Sequence, residues 1–308
     1  MIEGVSATYQ TKVRIVFILT CVLVMSFLFV EYLEVEVTFQ RWGTPKSKLE
    51  DHRQTIVFYN KVSKCGSRSF LSVARELAQR NEFTFYKHIL NGTYRPKYDD
   101  LISEVEHISS LPIPGIYHRH MYFTKFEKFG YRHPIYINMI RDPVDQWVSL
   151  YYFRHNGDGR HRRGSGSVTD INDCILNNLT TCEIPKEFYI GNFFCGQTSA
   201  CSRGSYESVK IAKRHIDEDY FFVGLLEEFE TSLQILEKIL PKYFFGAMDV
   251  WREIERKLKN ETTTLNKHEI KPETREILRK KLQNDYEVYF HIKHNFNILK
   301  KDLGFTNS

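Results

Sequence analysis

The stretch TIVFYNKVSKCGSRS, residues 55–69, decides the fold class of this chain. Its first half, TIVFYNKV (55–62), is a run of β-branched and aromatic residues that predicts a buried strand. The small residues from Ser63 to Ser67 then predict a turn. Behind the turn, apolar residues recur at helical spacing: Phe70, Val73, Ala74, Leu77 and Ala78. A buried strand, a short turn and an amphipathic helix together predict the first βα unit of an α/β domain.

The same order of strand and helix recurs twice further along the chain. PIYINMI (134–140) predicts a second buried strand, and Asp142 followed by Pro143 predicts the cap and first turn of a helix. YFFVGLL (220–226) predicts a third strand, followed by a helix that ends before Pro241. Strands that alternate with helices predict a mainly parallel central sheet with helices on both faces. The charged C-terminal stretch has helical periodicity and is expected to pack around this core.

The N-terminal region predicts a membrane anchor. Residues 15–30, IVFILTCVLVMSFLFV, carry no charge, and Lys12 and Arg14 precede them. The run is close to the ~20 residues of a membrane span, and its basic leading flank predicts a cytosolic N-terminus. A cleaved signal peptide is the alternative, but the run ends in bulky residues rather than at a small-residue cleavage site. The predicted order is a cytosolic tail (1–14), a transmembrane signal-anchor (15–33), a stem (34–53) and a lumenal catalytic domain (54–308).

The cysteine spacing fits an oxidising lumen. Cys174 and Cys182 are eight residues apart, and Cys195 and Cys201 are six apart, in polar, turn-rich stretches. These spacings favour two local disulfides; zinc binding is the alternative, although neither pair has the CxxC pattern. The chain also has three sequons for N-glycosylation, at Asn91, Asn178 and Asn260. A net charge of +5, with acidic and basic residues nearly balanced, does not indicate a nucleic-acid partner.

The turn after the first strand has the composition of an anion site: Lys64, Cys65, Gly66, Ser67, Arg68 and Ser69. Glycine and small hydroxyl residues at a helix start leave backbone N–H groups exposed, and the helix dipole favours an anion there. The lysine adds a cation. The phosphate-binding pattern GxxxxGK[ST] is absent, because the lysine precedes the glycine. An ordinary surface turn is the alternative interpretation.

A second anion site is predicted after the next strand. Arg141 ends that strand at the carboxyl edge, where open α/β sheets bind ligands, and Ser149 lies two turns along the following helix. An arginine can hold a phosphate through two hydrogen bonds. Pairing of Arg141 with Asp142 or Asp145 is the alternative. Two anion sites on successive βα units suit a nucleotide with phosphates at its 5′ and 3′ ends.

His118 and His120 are separated by one residue. In a strand, two such residues face the same side. They could therefore be zinc ligands, a catalytic group with its neighbour, or solvent-facing residues, and the spacing alone does not decide among these.

Four segments, in this order, resemble the glycosaminoglycan uronyl 2-O-sulfotransferases: YNKVSKCGSRS (59–69), YHRHMYF (117–123), PIYINMIRDPVDQWVSLYYF (134–153) and FFCGQ (193–197). The resemblance extends over about residues 55–305, and the KCGSR form of the first segment is closer to the uronyl branch than to the heparan branch. It implies a P-loop-like sulfotransferase fold, PAPS (3′-phosphoadenosine 5′-phosphosulfate) as the sulfate donor, and no metal cofactor. It also implies a Golgi membrane location and a homotrimer.

The resemblance assigns roles to individual residues. It implies a 5′-phosphosulfate loop at Lys64, Gly66, Ser67 and Arg68, a 3′-phosphate site at Arg141 and Ser149, and a catalytic base at His120. A histidine suits the last role because its pKa lies near neutrality. His118 matches a second, less essential histidine, and both cysteine pairs match family disulfides. Lys61 stands where the family has an arginine, which would replace a bidentate carboxylate contact by a point charge.

The expected acceptor is an anionic glycosaminoglycan. A basic loop after the second helix supplies cations for it: Arg154, Arg160, His161, Arg162 and Arg163. A solvated loop without a special role is the alternative. Asn266 and Lys267 lie in a segment, residues 260–272, that matches the family's cover over the cofactor.

Cys65 could have a lowered thiol pKa at a helix N-terminus beside Lys64. Because the family transfers sulfate directly, we interpret Cys65 as a small residue that fills the loop. Two other functions compete with sulfuryl transfer: an inactive lumenal glycan-binding protein with the same fold, and a P-loop kinase or nucleotide hydrolase. The complete set of site residues argues against the first, and the position of the lysine argues against the second.

Overall fold

Five parallel strands form the centre of the computed structural model: β1 (Val57–Asn60), β2 (Thr84–Lys87), β3 (Gly115–Arg119), β4 (Ile135–Ile140) and β5 (Tyr220–Leu225). Their order across the sheet is β2-β3-β1-β4-β5. Because every pair is parallel, all carboxyl ends lie at one edge. The structure describes residues 25–26, 55–88, 93–159, 169–202 and 204–305.

Helices connect and cover these strands. In the described part of the chain the α-helices are α1 (Ser67–Arg80), α2 (Tyr98–Ser109), α3 (Pro143–Asn156), α4 (Ile171–Leu176), α5 (Ile190–Cys195), α6 (Tyr206–Glu218), α7 (Phe229–Ile239), α8 (Pro241–Phe244), α9 (Ala247–Thr262), α10 (Pro272–Lys281) and α11 (Gln283–Asp302). α1 packs against α8 and α9, and α6 packs against α5 and α11. Asp142 caps α3 by accepting the N–H of Asp145 at 3.1 Å, with Pro143 in the first turn, as predicted.

Aromatic side chains fill both faces of the sheet. Phe58 contacts Tyr117 and Tyr136, its register partners on β3 and β4, with ring centroids 5.4 and 5.0 Å apart. The next residue, Tyr59, faces the opposite side and meets Phe70 of α1 at 4.6 Å, since successive strand residues alternate. The parallel sheet with helices on both faces is therefore confirmed.

The predicted strands at 55–62, 134–140 and 220–226 are β1, β4 and β5. The sequence did not predict β2, because this edge strand has exposed residues at both ends and no apolar run. The C-terminal helical stretch is two helices, α10 and α11. They are separated at Leu282, whose backbone leaves the helical region with a φ of −102° and a ψ of 19°.

Hydrogen bonds join three buried polar side chains, which come from the carboxyl end of β1, the middle of β4 and the amino end of β5. The amide nitrogen of Asn60 donates to the Tyr220 hydroxyl at 2.7 Å. The amide nitrogen of Asn138 donates to the backbone carbonyl and to the side-chain oxygen of Asn60 at 2.7 and 2.9 Å. Buried hydrogen-bonded groups of this kind specify one arrangement, so these bonds fix β1, β4 and β5 relative to one another.

The chain divides into two units, residues 1–52 and 53–308. Of the first unit only Met25 and Ser26 are described, and both are helical. The predicted tail, the rest of the predicted anchor and the whole of the predicted stem lie outside the described residues. Within the part that is described, no helix is long and apolar enough to cross a membrane.

Candidate active site

A cleft of about 1140 Å³ lies at the carboxyl edge of the sheet. Its walls come from the segments after β1, β3, β4 and β5, from α3, and from α9 with the segment that follows it. Eleven predicted residues line this cleft: Lys64, Gly66, Ser67, Arg68, Ser69, His120, Arg141, Ser149, Arg154, Asn266 and Lys267. The fold therefore brings together residues that are far apart in the chain.

The turn after β1 presents backbone N–H groups to the cleft. Gly66 precedes α1 with a φ of 74°, and no described side chain caps the α1 N-terminus. A β-carbon at this position would overlap the Leu226 side chain. Glycine fits here because it tolerates both the left-handed backbone and the close approach. The first N–H groups of α1 are thus available to an anion.

Lys64 has a backbone φ of 62°, which is uncommon for a residue with a β-carbon. Its Nζ lies 3.8 Å from the centre of the Phe153 ring, in a cation–π contact. Burial, followed by the charge of Arg68, lowers the pKa of Lys64 to about 8. The ammonium group is therefore still mostly protonated at neutral pH, and it lies beside the start of α1.

Arg68 already has a carboxylate partner. Its guanidinium forms an ion pair with Asp158, which is fully buried. The backbone of Asp158 also pairs with Thr264 in an isolated antiparallel bridge. This contact joins the β1 turn to the segment that carries Asn266. It also reduces the charge that Arg68 offers to an anion.

Arg141 forms no ion pair with any residue that the structure describes. The alternative pairing with Asp142 or Asp145 is therefore wrong. Arg275 of α10 binds both carboxylates instead: its Nη2 is 2.7 Å from Asp145 Oδ1, and its Nη1 is 3.6 Å from Asp142 Oδ1. The Arg141 guanidinium remains available at the cleft wall.

Ser149 and Lys267 line the same cleft as Arg141. The Ser149 hydroxyl is 3.3 Å from the hydroxyl of Thr264. Burial, followed by the charge of Arg141, lowers the pKa of Lys267. Arg141, Lys267 and these two hydroxyls all line the cleft, and cations and hydroxyls of this kind can bind a phosphate group.

His120 follows β3 directly, and its Nδ1 lies 2.9 Å from the carbonyl oxygen of Lys61. A carbonyl oxygen can only accept, so Nδ1 carries the proton and Nε2 keeps its lone pair. Burial, followed by the charge of Lys61, lowers the pKa of His120 to about 4. The expectation of a pKa near neutrality is therefore wrong: the imidazole is neutral at pH 7, but it is a weaker base than a free histidine. Its unprotonated Nε2 can still accept a proton from a hydroxyl that reacts in the cleft.

His118 is only 4% exposed and is not among the residues that line the cleft. Its ring packs against Phe85 at 4.9 Å, and neither ring nitrogen has a hydrogen-bond partner in the described part of the chain. Burial, followed by the charges of Lys61 and Arg75, lowers the pKa of His118 to about 3. The interpretation of two solvent-facing histidines is therefore wrong. No group of three or more histidine, cysteine or acidic side chains that could hold a metal occurs among the described residues.

Lys61 and Cys65 lie near the cleft but do not line it. Burial, followed by the charge of Lys87, lowers the pKa of Lys61 to about 8. Cys65 is fully buried, with its Sγ 3.5 Å from the carbonyl oxygen of Ser63. Burial raises the pKa of the Cys65 thiol, so the expectation of a lowered value is wrong. Any contact of Cys65 with a ligand would come from its backbone, and its side chain fills the loop.

Comparison with known proteins identifies the family of this chain. A family model described as the sulfotransferase family matches residues 50–186. The uronyl 2-sulfotransferase of Homo sapiens is 35% identical over 285 residues, which are 89% of this chain and 70% of the human protein. The heparan sulfate 2-O-sulfotransferase 1 of Mus musculus is 34% identical over 250 residues, which are 77% of this chain and 68% of the mouse protein. The chain belongs to the uronyl and heparan sulfate 2-O-sulfotransferase family.

Both cysteine pairs of this sulfotransferase lie at disulfide distance, as the sequence predicted. The Cα atoms of Cys174 and Cys182 are 6.1 Å apart, and those of Cys195 and Cys201 are 5.4 Å apart. The second pair closes the loop after α5. The N–H of Phe123, in the segment after β3, donates to a carbonyl of α5.

Several of the predicted residues belong to the basic loop and the sequons. The acceptor candidates Arg160, Arg162 and Arg163, together with His161 and the sequon at Asn91, lie outside the described residues. Arg154, which the sequence predicted to begin the same loop, instead lies in the last turn of α3 and lines the cleft. The sequon residues Asn178 and Asn260 are exposed.

Sequence reasoning missed one end of the cleft. There Phe229 packs edge-on against Trp251, with ring centroids 4.7 Å apart, and Leu226 lies on the same wall. Tyr94 and Thr264 line the cleft elsewhere. These residues come from separate segments and carry no local motif, so only the tertiary fold reveals them.

Proposed function

We propose that this sulfotransferase transfers a sulfuryl group from PAPS to the 2-hydroxyl of a uronic acid in a glycosaminoglycan. One observation carries the proposal: Lys64, Arg141 and His120 converge on a single cleft. Relatives of the chain are named uronyl 2-sulfotransferase and heparan sulfate 2-O-sulfotransferase. In-line transfer from a nucleotide depends mainly on positioning and on charge stabilisation, which these groups can supply.

The cleft offers a separate place for each part of the nucleotide. The 5′-phosphosulfate would bind at the α1 N-terminus beside Lys64, where N–H groups and an ammonium group face the cleft. The 3′-phosphate would bind at Arg141, with Ser149 and Lys267. The apolar end around Trp251 suits an aromatic base.

The transfer step requires one base and no covalent enzyme intermediate. Nε2 of His120 takes the proton of the 2-hydroxyl as its oxygen attacks sulfur, and the bond from sulfur to the bridging phosphate oxygen breaks. PAP (adenosine 3′,5′-bisphosphate) leaves with the electron pair, and Lys64 stabilises the negative charge on the bridging oxygen. The proton on His120 then passes to solvent.

The charge of the cleft suits a polyanionic acceptor such as dermatan, chondroitin or heparan sulfate. Among the described residues its wall has six cations and one carboxylate: Lys64, Arg68, Arg141, Arg154, Lys259 and Lys267, with Glu187. We place the catalytic domain in the Golgi lumen, anchored as a single-pass type II protein. The apolar N-terminal run and the two cysteine pairs support this placement.

An inactive glycan-binding protein is the alternative. The basic wall would serve both functions. A binding protein, however, has no need for an imidazole on the cleft wall whose tautomer is fixed by the Lys61 carbonyl.

The test is label transfer by the purified full-length protein from radiolabelled PAPS to heparan, dermatan and chondroitin acceptors in turn. We expect transfer to at least one acceptor and its loss in His120→Ala, while PAP still raises the melting temperature of that variant. ATP with magnesium should not raise it. Stabilisation by PAP without any transfer would favour the inactive binding protein, and the absence of both would contradict the proposal.

A further inference from the structure

Two carboxylates lie where an anion is expected to bind. Asp142 and Asp145 occupy the start of α3, directly after Arg141 in the chain. If they were unpaired, they would repel a nearby phosphate or pair with the Arg141 guanidinium. Either effect would weaken a phosphate site at Arg141.

The structure shows what occupies these carboxylates. Arg275 of α10 contacts Asp145 at 2.7 Å and Asp142 at 3.6 Å. The Tyr286 hydroxyl of α11 lies 2.8 and 3.0 Å from the two Asp142 oxygens. Two helices from the C-terminal part of the chain therefore bind the acidic first turn of α3.

The charges of Arg141, Arg275 and Asp145 all act on the pKa of Lys267. Its pKa is lowered by burial and then by Arg141, and also by Arg275, whereas Asp145 opposes the shift. Arg141, Lys267, Arg275 and Asp145 are thus close enough to influence one another. Arg275 itself is not among the residues that line the cleft.

We propose that Arg275, supported by Tyr286, is a positioning residue for nucleotide binding. By binding Asp142 and Asp145, Arg275 leaves the charge of Arg141 available for the 3′-phosphate. This inference rests on the proposed function, because it assumes that the 3′-phosphate binds at Arg141.

The test compares two nucleotides that differ only in the 3′-phosphate: PAP and adenosine 5′-monophosphate. Dissociation constants are measured by calorimetry on the full-length wild type, Arg275→Met and the double variant Arg275→Met/Asp145→Asn. Arg275→Met should weaken PAP binding about tenfold and leave adenosine 5′-monophosphate binding within about twofold. The double variant should recover most of the PAP affinity, since the unpaired carboxylate is gone.

Two further variants distinguish a specific effect on PAP binding from a general loss of structure. Lys280→Met removes one cation from the same helix at an exposed site, where the ion pair that the structure describes is with Glu276 at 3.7 Å, and should change neither constant. Tyr286→Phe keeps the volume and removes the hydroxyl, so it should weaken PAP binding in the same direction as Arg275→Met but less. If Arg275→Met does not fold, Tyr286→Phe with and without Asp142→Asn makes the same comparison.

The outcomes separate the inference from the proposed function. Equal weakening of both nucleotides, unchanged PAP binding, or no recovery in the double variant would overturn the role of Arg275 while leaving the proposed function intact. A wild type that does not prefer PAP over adenosine 5′-monophosphate would overturn the 3′-phosphate site, and the inference with it.

Discussion

The backbone positions of His120 and Lys64 set their chemistry. The Lys61 carbonyl holds the His120 ring in one tautomer, so the nitrogen that faces the cleft is the one with a lone pair. Lys64 has a left-handed backbone and packs against the Phe153 ring, and its ammonium is partly desolvated. Both side chains therefore depend on local geometry that the residue types alone do not provide.

The pH dependence of activity should report Lys64. Since the pKa of Lys64 is about 8, kcat/KM for PAPS should fall as pH rises above about 8, because the ammonium loses its proton. His120 has a pKa of about 4 and stays unprotonated throughout this range. Lys64→Arg should reduce the alkaline fall, as arginine stays charged, and a remaining fall would report Lys267, whose pKa is also lowered. Lys61 also has a pKa of about 8 but does not line the cleft, so Lys61→Arg is the control and should retain the fall.

Gly66 should tolerate no side chain. Gly66→Ala combines a left-handed φ of 74° with overlap onto Leu226, and it should weaken PAP binding by at least about tenfold. Gly246 has a φ of 77° and open space where a β-carbon would lie, so Gly246→Ala carries only the backbone cost of about 1–2 kcal/mol. Calorimetry with PAP on both variants checks this. Equal PAP affinity in the two variants would show that PAP binding does not depend on the close approach of Gly66 to Leu226.

Much of the site could be predicted at the level of single residues. The lysine, glycine and hydroxyls after β1 form one continuous motif, and Arg141 with Ser149 form another, so local patterns sufficed. Arg275 could not be found in this way, because its partner Asp145 is 130 residues away in sequence. The burial of His118 was also missed, since the HxH spacing does not reveal which neighbouring element covers the first histidine.

At the scale of elements, Asp285 joins α11 to α5. Its two carboxylate oxygens accept the N–H groups of Ile190 and Gly191, each at 3.0 Å. The side chain is 5% exposed, and burial raises the pKa of Asp285 to about 6. The two hydrogen bonds act in the opposite direction and lower the pKa, but their effect is smaller. Ionisation of Asp285 is therefore unfavourable in the folded protein compared with the unfolded chain.

This raised pKa predicts a specific pH dependence of stability. An acid whose folded pKa exceeds its unfolded value stabilises the fold at low pH, and this contribution is lost as pH rises from about 4 to about 6. As pH rises through this window, the unfolding free energy of the wild type should therefore fall by up to about 3 kcal/mol relative to that of Asp285→Asn. Urea denaturation at several pH values measures it. A pH-independent difference would contradict the raised pKa.

The fold was predictable where both faces of a strand are buried. β1, β4 and β5 are continuous apolar runs, and each is followed by a helix with a clear start. β2 and β3 were not predicted from the sequence, because β2 is a short, partly exposed edge strand and β3 contains two basic residues, His118 and Arg119. The Arg119 charge is satisfied by Glu104 of α2, at 2.5 Å, a tertiary contact without a local signal.

At the scale of the whole molecule, the cationic cleft should steer polyanionic acceptors. With six cations and one carboxylate on the described cleft wall, kcat/KM for a long acceptor chain should fall steeply as salt rises. A short oligosaccharide of the same sugars spans fewer cations and should show a weaker salt dependence. Equal salt dependence for both acceptors would argue against an extended basic surface.

The position of the transferred sulfate tests the proposed function most directly. Full-length protein is incubated with PAPS and 2-O-desulfated heparan or dermatan sulfate, and the products are digested to disaccharides and analysed by mass spectrometry. We expect new sulfate on the 2-hydroxyl of the uronic acid, and none with His120→Ala. New sulfate on the hexosamine alone would contradict transfer to the uronic acid.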